Sequence, residues 1–232
     1  MIQKNHLFFL TIFLVLILFF LYNKDFERHF KIIIKKENQA SIARRYVYFD
    51  LGTNNGDSVA KFLDFKLIEK NVYQFPEFSN KNFLNNTNWI IYMFEANPKF
   101  NKQLLELKES LKIKNHTVYL FEETAAWTYN GTIKFYLDTV NNHVNNWGSS
   151  LNSQHPDVVK SNQTFVQVKC VDIASLLLQY TKNDLIIMKI DIEGAEYELI
   201  ADFIGKNALN LIDNLALEFH HVADSFPPSS DE

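Results

Sequence analysis

Asp50, Gly52, Asn54 and Gly56 fall in one short stretch, Tyr46 to Val59, which reads YVYFDLGTNNGDSV. An apolar run ends in a carboxylate, a glycine-bearing turn follows, and a helix start comes at Asp57 or Ser58. Strand, acid, Gly-rich turn and helix in that order form a nucleotide-binding corner. Glycines let the backbone take unusual dihedrals and approach a ligand closely. The free N–H groups of the helix start are expected to face that ligand. Without a ligand, the same residues read as an ordinary strand-turn-helix with a glycine stop.

Glu95 is the second anchor. It ends another apolar run, Asn88 to Glu95 (NWIIYMFE). An acid there can accept hydrogen bonds from both ribose hydroxyls of a nucleoside. It stands about twice as far from the turn as the usual spacing of about 20 residues, and an insert over residues 69–89 absorbs the difference. A dinucleotide fingerprint, G-x-G-x-x-G, clears room for a pyrophosphate. Here the pattern is Gly52-x-Asn54-x-Gly56, with an amide in place of the second glycine. This disfavours a nicotinamide-dependent reductase and suits a ligand with amino and carboxylate groups, such as S-adenosylmethionine.

A third group lies further along. In Lys189-Ile-Asp-Ile-Glu193 the carboxylates of Asp191 and Glu193 alternate at a strand end. They are placed to bind a donor's amino group, orient an acceptor hydroxyl or take its proton. Glu196 reads as a helix cap or a surface partner. Glu218, His220 and His221 follow the next strand, and His220 is a candidate general base. Asp191, Glu193 and His220 also suit a divalent metal, though their spacing does not demand one.

The elements that must position these residues follow from periodicity. Val59, Phe62, Leu63 and Leu67 have helical spacing, as do Phe100, Leu104, Leu107 and Leu111 behind an Asn97-Pro98 cap. Strands are expected at Thr117 to Phe121, Thr132 to Leu137 (as a hairpin), Phe165 to Val171, Asp184 to Asp191 and Asn214 to Phe219. Asp172 to Leu178 reads as a short helix, and Gly194 opens another. Strands alternating with helices imply an α/β fold with a mainly parallel sheet and helices on both faces.

FDLGTNNGDSV, MFEANP, AAWTYNGTIKFYL, WGSSL, VKCVDIASLL, IIMKIDIEGAEYELI and LALEFHH together cover roughly Tyr46 to His221. In content and order they resemble the FkbM-type methyltransferases of the Rossmann-like S-adenosylmethionine-dependent superfamily. The resemblance implies a methyl donor held by Asp50, Gly52, Asn54, Gly56 and Glu95. It implies transfer to a hydroxyl oxygen on a sugar or other small molecule. Methyltransferases of this class continue past the fifth strand with a helix and two more strands. The tail from Asp224 to Glu232, DSFPPSSDE, supplies none of them. The expected fold is therefore a Rossmann-like methyltransferase with its C-terminal strands missing. The alternative function is a non-catalytic remnant that binds the donor only.

Composition sets the frame. The chain has 232 residues, 47% of them hydrophobic and 22% charged, which is globular rather than disordered. A net charge of −4 and no basic stripe argue against nucleic acid. Cys170 is the only cysteine, which excludes an internal disulfide. Leu7 to Tyr22, LFFLTIFLVLILFFLY, carries no charge and no small-residue cleavage site follows it. It reads as a single-pass transmembrane anchor rather than a cleaved signal. The expected organisation is a short tail at 1–6, the anchor at 7–22, a stem at 23–45, the methyltransferase-like domain at 46–221 and a tail at 222–232. Lys24, Arg28, Lys31, Lys35 and Lys36 after the anchor favour a cytosolic domain. Asn-x-Thr sequons at Asn85, Asn115, Asn130 and Asn162 favour a lumenal one, as in a Golgi or ER enzyme.

Overall fold

The computed structural model describes residues 43–63, 87–141, 143 and 146–220. The apolar run at 7–22, residues 69–86 of the expected insert, His221 and the tail lie outside them. Among the described residues no helix is long and apolar enough to cross a membrane.

Five strands form one sheet: β1 (Tyr46–Leu51), β2 (Ile90–Glu95), β3 (Thr117–Glu122), β7 (Leu185–Ile190) and β8 (Asn214–Leu217). Their order is β3-β2-β1-β7-β8, and every neighbouring pair is parallel. β1 and β7 sit inside the sheet and are covered on both faces, which is why YVYFDL and LIIMKI are near-continuous apolar runs. Strand alternation then sorts their side chains. Val47, Phe49, Leu51, Ile186, Met188 and Ile190 meet the short helix α4 (Ile173–Leu177) and α5 (Glu196–Gly205) through Ile173, Leu177, Leu199 and Phe203. Tyr48, Ile91, Met93 and Ile187 meet α1 (Asp57–Leu63) and α2 (Asn101–Ile113) through Val59, Phe62 and Leu111. Each such side chain, fully buried, contributes about 1.5–3 kcal/mol. Helices therefore cover both faces of a parallel sheet.

The Asn97-Pro98 cap is present. Asn97 Oδ1 accepts the Lys99 amide, and Pro98 opens a short 3-10 turn that runs into α2. At the start of β1, Arg45 grips Asp184 at the start of β7 with Nε at 2.9 Å and Nη2 at 2.6 Å. That fork holds the Asp184 carboxyl well below the usual carboxylate range.

A second, three-stranded sheet packs around Ala125, Phe135, Val168 and Cys170. It contains β4 (Thr124–Trp127), β5 (Gly131–Tyr136) and β6 (Phe165–Asp172), in the order β4-β6-β5. β5 is therefore no local hairpin strand. It pairs antiparallel with β6, more than a short turn away, and β6 also pairs parallel with β4. Helix α3 (Pro156–Lys160) lies between β5 and β6 and had no sequence-level counterpart.

Candidate functional site

The C-terminal ends of β2, β1, β7 and β8 open on a cavity of about 360 Å³, within the range of small-molecule sites. Gly52, Asn54, Glu95, Asp191, Glu193 and His220 all line it. Asp50 and Gly56 do not.

Asp50 is fully buried. Its Oδ2 accepts the Ser58 hydroxyl at 2.5 Å and its Oδ1 faces Lys189 Nζ at 3.6 Å. Burial pushes its carboxyl up, against the pull of Lys189 and Ser58. Lys189 is the residue that sequence reasoning left without a role. Its ammonium donates to the Gly52 carbonyl at 2.8 Å and pairs with Asp191 Oδ2 at 3.1 Å. One buried lysine thus ties the β1 turn to the loop after β7. The signal was a lysine inside the otherwise apolar LIIMKI.

The turn is closed on itself. The Gly52 and Thr53 amides both donate to the Phe94 carbonyl, and the Gly56 amide donates to the Thr53 carbonyl. The Asn55 amide donates to Asn54 Oδ1, and the Asp57 amide to Asn55 Oδ1. The amides from Gly52 to Asp57 are thus engaged within the protein, and the turn itself offers no phosphate cradle. Gly52 has φ +80°, and a Cβ there would run into the Asp191 carbonyl; Gly56 has φ +87° and would meet Leu107. Both glycines serve close chain packing. Asn54, at φ +50°, occupies the left-handed region that asparagine tolerates.

Glu95 joins the turn to the second strand. Its Oε2 accepts the Asn54 amide at 2.6 Å and its Oε1 accepts the Asn97 amide at 2.7 Å. It is 6% exposed, and burial pushes its carboxyl up to about 7 despite those two bonds. An ionised carboxylate offers about four acceptor positions, so two amides leave room for further donors from the cavity.

Across the β1 turn stands the acid-histidine group. Glu193 has φ +56° and Gly194 +102°, a tight loop that delays α5 to Glu196. Glu196 is no surface residue. It is fully buried and accepts the Ile192 and Gly194 amides at 2.9 and 2.8 Å. Its Oε1 also holds His220 Nδ1 at 3.0 Å. His220 Nε2 then faces Glu193 Oε2 at 3.6 Å and Asp191 Oδ1 at 3.8 Å. The Glu196 bond raises the His220 pKa to about 9, against the effect of burial, with Glu193 and Asp191 adding to the rise. His220 therefore carries its proton at neutral pH and is not a ready base. A second histidine, His155, places Nε2 3.5 Å from Glu193 Oε2 and accepts the Asp157 amide on Nδ1. The Ser150 hydroxyl donates to the Glu193 carbonyl at 2.6 Å.

Phe94, Ala96, Phe100, Ala126 and Phe135 give the cavity an apolar wall, and Trp147 stands at its edge with 58% of its surface exposed. No curated protein and no solved structure matches the chain. A family model described as the methyltransferase FkbM domain does, over residues 50–232. That match takes in the turn and helix from Asp50 onward, Glu95 and the acid-histidine group, and the chain belongs to the FkbM methyltransferase domain family.

Proposed function

We propose that the chain is an S-adenosylmethionine-dependent O-methyltransferase acting on a hydroxyl of a small molecule or glycan. Glu95 carries the reading. It is a buried carboxylate at the carboxyl end of β2, aimed at the cavity, with acceptor capacity left for a ribose diol. The family generally uses S-adenosylmethionine. The residues present fit that donor. The turn has no amides left for a pyrophosphate, the apolar wall suits an adenine ring, and Asp191 and Glu193 on the β7 side suit an ammonium group. Glu95 would hold the ribose, and Gly52 and Asn54 would border the amino-acid end.

Bound there, the donor supplies a methyl group on a sulfonium, a good leaving group from the outset. The protein's share is alignment and proton handling. Trp147 offers a flat apolar face to an acceptor ring at the cavity edge. The acceptor oxygen would bond to the methyl carbon as the carbon–sulfur bond breaks, its electron pair going to sulfur, and its proton would pass to a carboxylate oxygen of Asp191 or Glu193. His220, already protonated, holds those carboxylates in place. With the apolar run at 7–22 as an anchor, the enzyme works at a membrane surface.

The test is transfer of a labelled methyl group from S-adenosylmethionine to a panel of hydroxylated small molecules and glycans by the full chain. Label should appear in an ether product, and Glu193→Gln with Asp191→Asn should reduce it by about 100-fold or more. Donor binding with no transfer to any acceptor would leave a binding domain instead of an enzyme.

A further inference from the structure

We infer that Asp191, Glu193 and His220 form a binding site for one divalent transition-metal ion of the Mn²⁺–Zn²⁺ class, open to the cavity. One donor atom from each residue lies within 4.8 Å of the other two. They come from two separate loops, after β7 and after β8, and meet at the cavity wall.

The groups behind them point the same way. His220 gives its Nδ1–H to Glu196, a fully buried carboxylate that two backbone amides fix from the other side. Nε2 faces Glu193 and Asp191, with Glu218 Oε1 also at 3.8 Å, and a metal ion bound there takes the place of the Nε2 proton. A carboxylate behind the outer nitrogen of a histidine is the arrangement that orients metal-binding imidazoles and raises their basicity. His155 accepts an amide on Nδ1, so its Nε2 carries hydrogen and donates toward Glu193, orienting it without competing as a ligand. Lys189 fixes the other oxygen of Asp191, leaving Oδ1 for the centre of the group. Atoms each about 2.1 Å from a common ion stand about 3–3.6 Å apart. Separations of 3.6 and 3.8 Å from Nε2 come close to that span, and the two carboxylate oxygens lie within 4.8 Å of each other.

One imidazole with two carboxylates favours Mn²⁺, Fe²⁺, Co²⁺ or Zn²⁺ over Mg²⁺. Three protein ligands leave coordination positions open toward the cavity. On the methyl-transfer reading proposed above, on which this role rests, an open position takes the acceptor oxygen and lowers its pKa.

The test titrates Mn²⁺, and separately Zn²⁺, into the untagged, chelator-stripped full chain with no donor or acceptor present. Calorimetry and Mn²⁺ electron paramagnetic resonance read the binding. A single site is expected, weakened about 10-fold or more by His220→Ala and by Glu193→Gln, and about 10–100-fold by Glu196→Gln. Glu109→Gln, exposed on α2 and outside the cavity, should leave it unchanged. Thermal unfolding of each variant separates loss of the site from loss of the fold. No binding below about 1 mM, or equal binding by wild type, His220→Ala and Glu193→Gln, would overturn the site. A chain that binds Mn²⁺ but not S-adenosylmethionine keeps the metal site and loses the methyl-transfer reading. The reverse result does the opposite.

Discussion

Burial pushes the Glu95 carboxyl up to about 7, and the sign of that shift makes two opposite predictions. The raised pKa contributes stability that is fully present below the ordinary glutamate value of about 4.3. That stability is lost as pH rises through about 7. The donor-free chain should therefore melt at lower temperature as pH rises from about 6 to about 8. Donor affinity should rise over the same range, because the anion accepts ribose hydroxyls more strongly than the acid does. Glu95→Gln should weaken donor binding by about 10–100-fold and flatten its pH dependence, since hydrogen bonds to charged groups contribute about 1.5–3 kcal/mol. Calorimetric titrations across pH check both. Glu95 was legible in the sequence because an acid ending an apolar run is unusual and has few places to go. Lys189 was equally visible but not its partner: only the β1–β7 register, which sets Lys189 opposite Asp50, puts its ammonium under the turn.

The β1–turn–α1 corner looked like a ligand cradle in the sequence, and the turn is there. Its glycines answer to neighbouring chain instead. Gly52 abuts the Asp191 backbone and Gly56 abuts α2, contacts between residues far apart in sequence that periodicity cannot reveal. Gly52→Ala should therefore destabilise the chain by roughly 2–4 kcal/mol, combining a left-handed φ with a backbone clash. Denaturant unfolding without donor is the measurement, and unchanged stability would contradict the packing role. The five principal strands were readable from apolar runs bounded by turn signals. β4 was not, because TAAW is too short to show a period and finds its partner in Cys170 and its neighbours. Pairing of β5 with β6 was lost for the same reason: both its partners and its register are set across the intervening α3 segment.

At the scale of the whole molecule, the order β3-β2-β1-β7-β8 brings the ends of four adjacent strands to one cavity. Glu95 stands on the β2 side, the closed turn at β1 and the acid-histidine group on the β7–β8 side. On the function proposed above, a nucleoside with a charged amino-acid arm would span that arrangement. A dinucleotide lacks its phosphate cradle there, since the turn's amides are engaged. The most direct test is calorimetric titration of S-adenosylmethionine into the full chain, with NAD as the competitor. The account predicts one saturable site, not displaced by NAD and lost or strongly weakened in Glu95→Gln. No heat from S-adenosylmethionine with the folded wild-type chain, or full displacement by NAD, would contradict it.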